Sequence, residues 1–382
     1  MAKPLGELRP VYVVGVGWHR YQPLSGTSYV QLGLTAVRQA LSDAGIDWRA
    51  VETSYVGTAL LGMACGRPML SHLGANQNSI VHVENASASG SAAFRLGCIE
   101  VASGISDIGL VLGIDKPAPY EQGSKQTGIE QLADDDIVPF THYALLTDAY
   151  MSRHGATIHD IARVAVKNHG NAARNPNAHR QQIRSLDEIV EGRAVSGLLT
   201  TLQCCPVGEG AAAAIIASED GIRRLNLRRE RAVRVASSGA ISEVVYPPGI
   251  DFDAQLTRRV CEIALDQAGV RVGELDVIEL HDAFTVEELC YIEAMGLCGP
   301  GDAVALLQNG AFDIGGRVAV NPSGGLIAMG HPVGPTGVGQ IGEITMQLRG
   351  EAGPRQHAGA QVGLAHMVGL GAVAYAHVLL RD

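Results

Sequence analysis

The chain has 382 residues, a formal net charge of −10, 46% hydrophobic residues and 18% charged ones. That length exceeds one hydrophobic core, so two or three domain-like units are expected, and the composition excludes a disordered chain. The acidic balance without basic-aromatic runs excludes nucleic acid as a partner, and no uninterrupted stretch of about 18 apolar residues suits a membrane span. The N-terminus, MAKPLGELRP, lacks the apolar segment of a signal peptide, so a cytoplasmic protein is expected. The seven cysteines, Cys65, Cys98, Cys204, Cys205, Cys261, Cys290 and Cys298, form no CxxC pair. Free thiols in a reducing compartment and no metal site are the reading that fits.

In chain order, Val11–Val16 reads as a buried strand and Ser28–Ala44 as a helix ending near Gly45. Glu52–Gly57 is a short strand leading into a loop, Leu60–Pro68. Ile80–Val83 reads as a strand, followed by Asn85-Ala86-Ser87-Ala88-Ser89-Gly90 and a helix from Ser91 to Gly104. Ile108–Asp115 completes a β-α-β unit. Residues 116–138 are polar, with an acidic run at Asp134–Asp136, and helices follow at Thr141–Met151 and Ile158–Ala173. This region, 116–203, reads as an insertion. Residues 201–218 are a loop and then a strand of alanines and isoleucines.

After the charged stretch Glu219–Glu230 the pattern restarts. Ala232–Ala240 is a strand, Phe252–Ala268 a helix, Leu275–Leu280 a strand ending at His281–Asp282, and Val286–Met295 a helix. Val318–Val320 is a strand pattern, Gly337–Arg349 a helix, and Val373–Leu380 the last strand. The second half repeats the order of the first, which points to an internal duplication. The expected division is 1–115 plus 204–224 for one half, 116–203 for the insertion and 225–382 for the other half.

Two stretches carry chemistry. NPSGGLIAMGHPVGPTGVGQ (321–340) holds six glycines, three prolines and one histidine, His331, between a strand and a helix. Glycine admits close approach of backbone to a ligand, and proline stiffens the loop. An imidazole held there, before a helix N-terminus, suits proton transfer beside developing negative charge. The second stretch is the tight turn around Ser87. Its small residues suit a sharp turn whose central side chain stands clear at the positive end of a helix. The same residues also read as a packing helix with Ser87 as its N-cap.

The 321–340 loop with GHP resembles the C-terminal signature of thiolases. LQCCPVGEGAAAAIIAS (202–218), IELHDAFTVEELCYIEAMGLC (278–298) and VKNHGNAARNPNA (166–178) resemble segments of sterol-carrier-protein-type and archaeal-type thiolases. The resemblance covers essentially the whole chain. It implies an α/β thiolase fold, with duplicated five-stranded mixed sheets in a five-layer α-β-α-β-α arrangement and an inserted loop domain. It implies acyl transfer between coenzyme A thioesters, no permanently bound cofactor, and a homodimer. A separate OB-fold/zinc-ribbon acyl-CoA-binding protein is a further partner it suggests.

Carried over by position, the GHP histidine is His331, the base, and the HDxF histidine is His281, an oxyanion or acid-base group. The nucleophile position falls on Ser87, where the family has cysteine. The family's second cysteine is also missing, since its two places hold Ala283 and Met367. Ser323, Gly325, His142 and His366 are the substrate-binding candidates, and Asp282 is expected to cap the helix starting at Thr285. Lys167, Arg174 and Arg180 are candidates for coenzyme A phosphates.

A free cysteine is a few per cent thiolate at neutral pH, whereas a serine hydroxyl must be activated during attack. Three functions are therefore weighed. The first is a thiolase-like acyltransferase with serine as a natural variant or inactivating substitution. The second is a thiolase-like retro-aldol lyase on a CoA thioester, which needs no acyl-enzyme. The third is a catalytically silent acyl-CoA-binding or scaffold subunit.

Overall fold

A computed structural model describes residues 4–117, 139–242, 244, 252–369 and 373–382. The acidic run Asp134–Asp136, Tyr246–Pro247–Pro248 and Leu370–Gly371 lie outside the described residues. The first half runs β1 (Val11–Gln22), α1 (Tyr29–Ala44), β2 (Thr53–Gly57), α2 (Gly66–Ser71), β3 (Ser79–Val83), α3 (Ser89–Ser103) and β4 (Ile108–Asp115). Next come α4 (Pro139–His154), α5 (Ile158–Ala172), α6 (Leu186–Val190) and a small hairpin of β5 (Ala194–Ser196) and β6 (Leu199–Thr200). β7 (Glu209–Ser218) and α7 (Glu219–Arg224) follow. The second half runs β8 (Val233–Ser242), α8 (Phe252–Ala268), β9 (Val277–Glu279), α9 (Thr285–Ala294), α10 (Ala303–Gln308) and β10 (Ala319–Val320). It ends with α11 (Val333–Arg349), β11 (Val362–Gly369) and β12 (Val373–Leu380).

The duplication is visible strand by strand. The first five-stranded set is ordered β3-β2-β4-β7-β1, with β2 parallel to β3 and β4, and β7 antiparallel to β4 and β1. The second is ordered β10-β9-β11-β12-β8, with β9 parallel to β10 and β11, and β12 antiparallel to β11 and β8. Both read third-second-fourth-fifth-first. They meet along β1 and β8, where Tyr12 and Val13 pair with Arg234 and Val233. That narrow seam makes one ten-stranded run of two sets.

Strands buried on both faces read as continuous apolar runs, as β4 and β7 do here. The three largest apolar clusters fill the spaces between the five layers, the middle one reaching both strand sets from the central helices. Leu32 and Val37 of α1 pack on Tyr12, Leu110 and Ile215 at the outer face of the first set. Phe94 and Val101 of α3, with Val338 and Ile341 of α11, fill the space shared by Val111, Ile216 and Ala365. Leu256 and Val260 of α8 cover Ala236, Leu364 and Val378 at the far face. The two central helices cross at very short range. A Cβ on Gly90 of α3 would run into the Gly334 carbonyl oxygen, and one on Gly337 would run into Ser91. This crossing brings the N-terminal ends of α3 and α11 together, and the Ser87 turn and His331 precede those ends. Among the described residues no helix is long and apolar enough to cross a membrane.

Candidate active site

The Ser87 turn is built by its neighbours. Ala86 holds a left-handed φ of 48°, a conformation side chains other than glycine seldom adopt. Ser89 Oγ accepts the Asn85 amide at 2.8 Å and donates to the Ala86 carbonyl at 2.6 Å, while Glu84 Oε1 accepts the Ala86 amide at 2.7 Å. Ser89, not Ser87, therefore closes the turn, and Ser87 makes no N-cap bond. Strain held beside a freed side chain is a recurrent feature of functional turns.

Ser87 Oγ lies 3.0 Å from His331 Nε2. The other ring nitrogen, Nδ1, lies 2.8 Å from Thr336 Oγ1, and that hydroxyl donates to the Pro332 carbonyl at 2.9 Å. The single threonine proton is thus used, so the hydroxyl accepts from Nδ1–H. This network assigns the unprotonated lone pair to Nε2, facing Ser87. His331 keeps part of its surface open, yet dense protein around the ring removes solvent. That desolvation, helped by the charge of His281, pushes its pKa down to about 3. Asp115, at the end of β4, fixes the segment from below. Its carboxylate accepts Gly334 N–H at 2.6 Å, Thr58 hydroxyl at 2.6 Å and Leu60 N–H at 2.9 Å.

His281 stands edge-on to His331 with ring centroids 5.5 Å apart. Its Nδ1 is 2.9 Å from Glu287 Oε1, and Glu287 Oε2 accepts Phe284 N–H at 2.8 Å. Glu287 therefore caps α9. The expectation that Asp282 does so is corrected. Asp282 instead accepts Leu326 N–H at 2.6 Å and the Asn168 amide at 2.7 Å, which ties it to the 321–330 loop. Burial, then the charge of Glu288, holds its pKa well above the usual carboxylate range.

That loop is not open. Residues Gly325–Met329 form one turn of π-helix, entered at Gly324 (φ 110°) and left at Gly330 (φ 108°). Both angles favour glycine. Asn321 fixes the entry, its Oδ1 accepting Leu280 N–H at 2.9 Å. Ser323 and Gly325 are both buried within the loop. Ser323 Oγ donates to Glu279 at 2.6 Å, Gly325 N–H points to Ser323 Oγ at 3.3 Å, and a Cβ on Gly325 would strike Asp282. Burial and the nearby Glu343 push Glu279 up to about 8.

His366 is fully buried, 3.1 Å from Thr257 Oγ1 through Nε2 and edge-on to Tyr291 at 5.3 Å. Burial, then the charge of His281, lowers its pKa to about 3. His142 pairs with Asp253 at 2.9 Å and is partly exposed. The structure thus brings Ser87, His331 and His281 together, with His366 near His281, while His142 contacts Asp253 and Tyr143. Lys167, read as a phosphate contact, is corrected: it is buried on Glu288 (3.1 Å) and the Val320 carbonyl (2.7 Å). Arg180 likewise donates to the Cys204, Ile327 and Thr201 carbonyls. Thr336, Glu287, Glu279 and Asp115 escaped the sequence reading. Glu287 had a signal, a glutamate at the third position of a helix.

Two family models match the chain: the thiolase N-terminal domain over residues 19–220 and the thiolase C-terminal domain-like region over 250–381. The chain belongs to the thiolase family. It is 35% identical to sterol carrier protein 2 of Oryctolagus cuniculus, over 98% of this chain and 72% of that protein. It is 32% identical to benzoylsuccinyl-CoA thiolase subunit BbsB of Thauera aromatica, over 95% of each. The fold matches the Ltp2-ChsH2(DUF35) aldolase with a TM-score of 0.83 at 23% identity, over 98% of each chain.

Proposed function

We propose that this protein performs thiolase-type carbon–carbon chemistry on acyl-CoA thioesters, with Ser87 as acyl acceptor and His331 as its base. The observation that carries this reading is the 3.0 Å contact of Ser87 Oγ with the lone-pair nitrogen of His331. In the forward step the hydroxyl attacks the carbonyl carbon, and Nε2 takes its proton. The C–C bond of a 3-oxoacyl group then breaks to release an acetyl-CoA enolate, or the C–S bond of a simple thioester breaks to release CoA thiolate, and the proton held on His331 Nε2 passes to that enolate carbon or thiolate sulfur. His281, across the site, stabilises the oxyanion. His142 and His366 border the substrate space, and Ser323 and Gly325 act through the loop they hold. An oxygen ester is a poorer acyl donor than a thioester, so return transfer to coenzyme A is slow in the serine form.

A second reading, retro-aldol cleavage of a CoA thioester, draws support from the same residues. A hydroxyl replaces the thiol, and an imidazole with pKa near 3 is a weak base for activating it. Retro-aldol chemistry needs no acyl-enzyme. Product analysis separates the two. Thiolysis of 3-oxoacyl-CoA, raised in Ser87→Cys, supports acyl transfer. Cleavage of a 3-hydroxyacyl-CoA, unaffected by Ser87→Ala, supports the lyase. Neither reaction in any form leaves a silent acyl-CoA-binding subunit.

A homodimer is proposed because β3 ends the sheet with an edge that is open among the described residues, beside exposed Val81, Leu96 and Ile99. The relative BbsB is described as a subunit, which supports a separate protein partner such as an OB-fold/zinc-ribbon acyl-CoA-binding protein. Seven free thiols support a reducing, cytoplasmic setting. We also read 116–203 as the inserted unit between the two halves.

A further inference from the structure

The Ser87 turn lies in the first half of the chain and His331 in the second, so their 3.0 Å contact depends on what fastens the halves beside it. The turn closes on itself through its backbone. Asn85 N–H donates to Ser89 Oγ at 2.8 Å, and the Asn85 carbonyl accepts Ala88 N–H at 3.0 Å. The Asn85 side chain leaves the turn, and its Nδ2 donates to the Tyr375 hydroxyl oxygen on β12 at 2.9 Å. Among the described residues, that bond and Ser87–His331 are the two hydrogen bonds that join residues 84–89 to the second half. The turn needs such a tie, because Ala86 sits at φ 48°, and strain of this kind persists only where the surroundings over-determine it.

Tyr375 is a fixed anchor. It is buried, has Met367 of β11 and Ala240 of β8 as strand neighbours, and clusters with Ala88 and Ala92. Its ring lies nearly parallel to that of His377, which is held through Nδ1 to Ser238 Oγ at 2.9 Å and stands edge-on to Phe94 of α3. Gly369 of β11 closes on the turn as well, and a Cβ there would come within 2.7 Å of the Asn85 carbonyl oxygen. A hydroxyl on so confined a ring offers Asn85 one position instead of a range of them.

We infer that Tyr375 is a positioning residue: through Asn85 it registers the Ser87 turn against the half that carries His331. This rests on the proposed reading, in which Ser87 is the attacking group. In this scheme Tyr375 exchanges no proton and acts only through the turn. Rate depends steeply on placement, since a shift of about 1 Å costs about 10²-fold. Loss of one hydrogen bond permits a smaller shift, for which a fall of about tenfold is expected.

The test uses Tyr375→Phe, which keeps the ring, Asn85→Ala, and the two combined, each in the natural chain and in Ser87→Cys. The first readout is the rate at which iodoacetamide alkylates the thiol introduced at position 87, followed by peptide mass spectrometry. It needs no turnover, and it reports whether the thiol is held on the His331 lone pair, because activation of a thiol depends on an adjacent base. Alkylation is expected to slow about tenfold in Tyr375→Phe and in Asn85→Ala, with the combined variant no slower than either, because a single bond joins the two residues. Alkylation of Cys205, which is also partly exposed, stays unchanged. The second readout is acyl transfer from acetyl-CoA, where kcat falls by a similar factor with KM unchanged. An unchanged or faster alkylation rate in Tyr375→Phe overturns the inference, even where the melting temperature drops, and so do additive losses in the combined variant. Slowed alkylation in a chain that transfers no acyl group upholds the Tyr375 assignment and removes the proposed function.

Discussion

At the scale of residues, the site depends on which nitrogen of each imidazole is free. Thr336 decides this for His331, because its own proton is committed to Pro332. Thr336→Val removes the acceptor of Nδ1–H and lets the tautomer reverse. The expected outcome is a kcat about 10²-fold lower, with KM nearly unchanged and substantial recovery in Thr336→Ser, read by steady-state turnover of CoA thioesters. A raised KM with kcat unchanged would contradict that role. Ser87, His281 and His331 were legible in the sequence because each lies in a motif of fixed spacing. Thr336 and Glu287 were not, since they act through an imidazole across a helix turn. Ser323 and Gly325 were legible as a loop of close approach, with the neighbour unspecified. Glycine-rich sequence signals close backbone approach, and here the approach is to Asp282 and Glu279 within the protein.

At the scale of elements, the crossing of α3 and α11 sets the distance between Ser87 and His331. Gly90→Ala places a methyl group against the Gly334 carbonyl, and that backbone cannot yield like a side chain. A loss of about 1–3 kcal/mol is expected, together with reduced activity, by denaturant titration and turnover. Unchanged stability would show that the helices separate freely. The strand β4 and the helix α8 were legible to the residue, since apolar runs and amphipathic spacing mark them directly. α11 begins at Val333 instead of Gly337, because prolines are tolerated in a first helical turn and do not mark a loop there. β11, VGLAHMVG, was not read as a strand, since buried strands flanked by glycine lack alternation. The π-turn at Gly325–Met329 has no periodic signature at all.

At the scale of the whole molecule, the duplicated strand order was legible as a repeated pattern, while the β1–β8 seam joining the sets was not. A two-residue pairing between distant strands leaves no local mark. Buried histidines then set how the molecule responds to pH. Burial lowers His366 and His377 to about 3 and His169 to about 4. Unfolded, these groups take protons below about 6.5. The unfolded state therefore binds more protons as pH falls from about 6.5 toward 3–4, and stability declines over that window. Each contributes about 1.4 kcal/mol per pH unit at most. Glu279, raised to about 8, acts with the opposite sign between about 4.5 and 8, since the folded state holds its proton. His331 and His179 add to the lowered histidines, while Asp282 and Asp115 add to the raised carboxyls. The histidines are the more numerous, so net stability is expected to fall on acidification below about pH 6, measured by denaturant titration across pH. A flat profile from pH 6.5 to 4 would contradict neutral buried histidines.

The central claim is that Ser87 occupies the acyl-accepting position beside His331. The most direct measurement is intact-protein mass spectrometry after mixing the chain, Ser87→Cys and Ser87→Ala with acetyl-CoA and longer acyl-CoAs. The account predicts an acyl adduct on the serine form that accumulates because return transfer is slow, a faster-forming and thiolysis-competent adduct on Ser87→Cys, and none on Ser87→Ala. An adduct on the cysteine form alone would leave a thiolase framework in which the serine does not react. No adduct on any form would contradict acyl transfer at this residue and favour the lyase or the silent subunit.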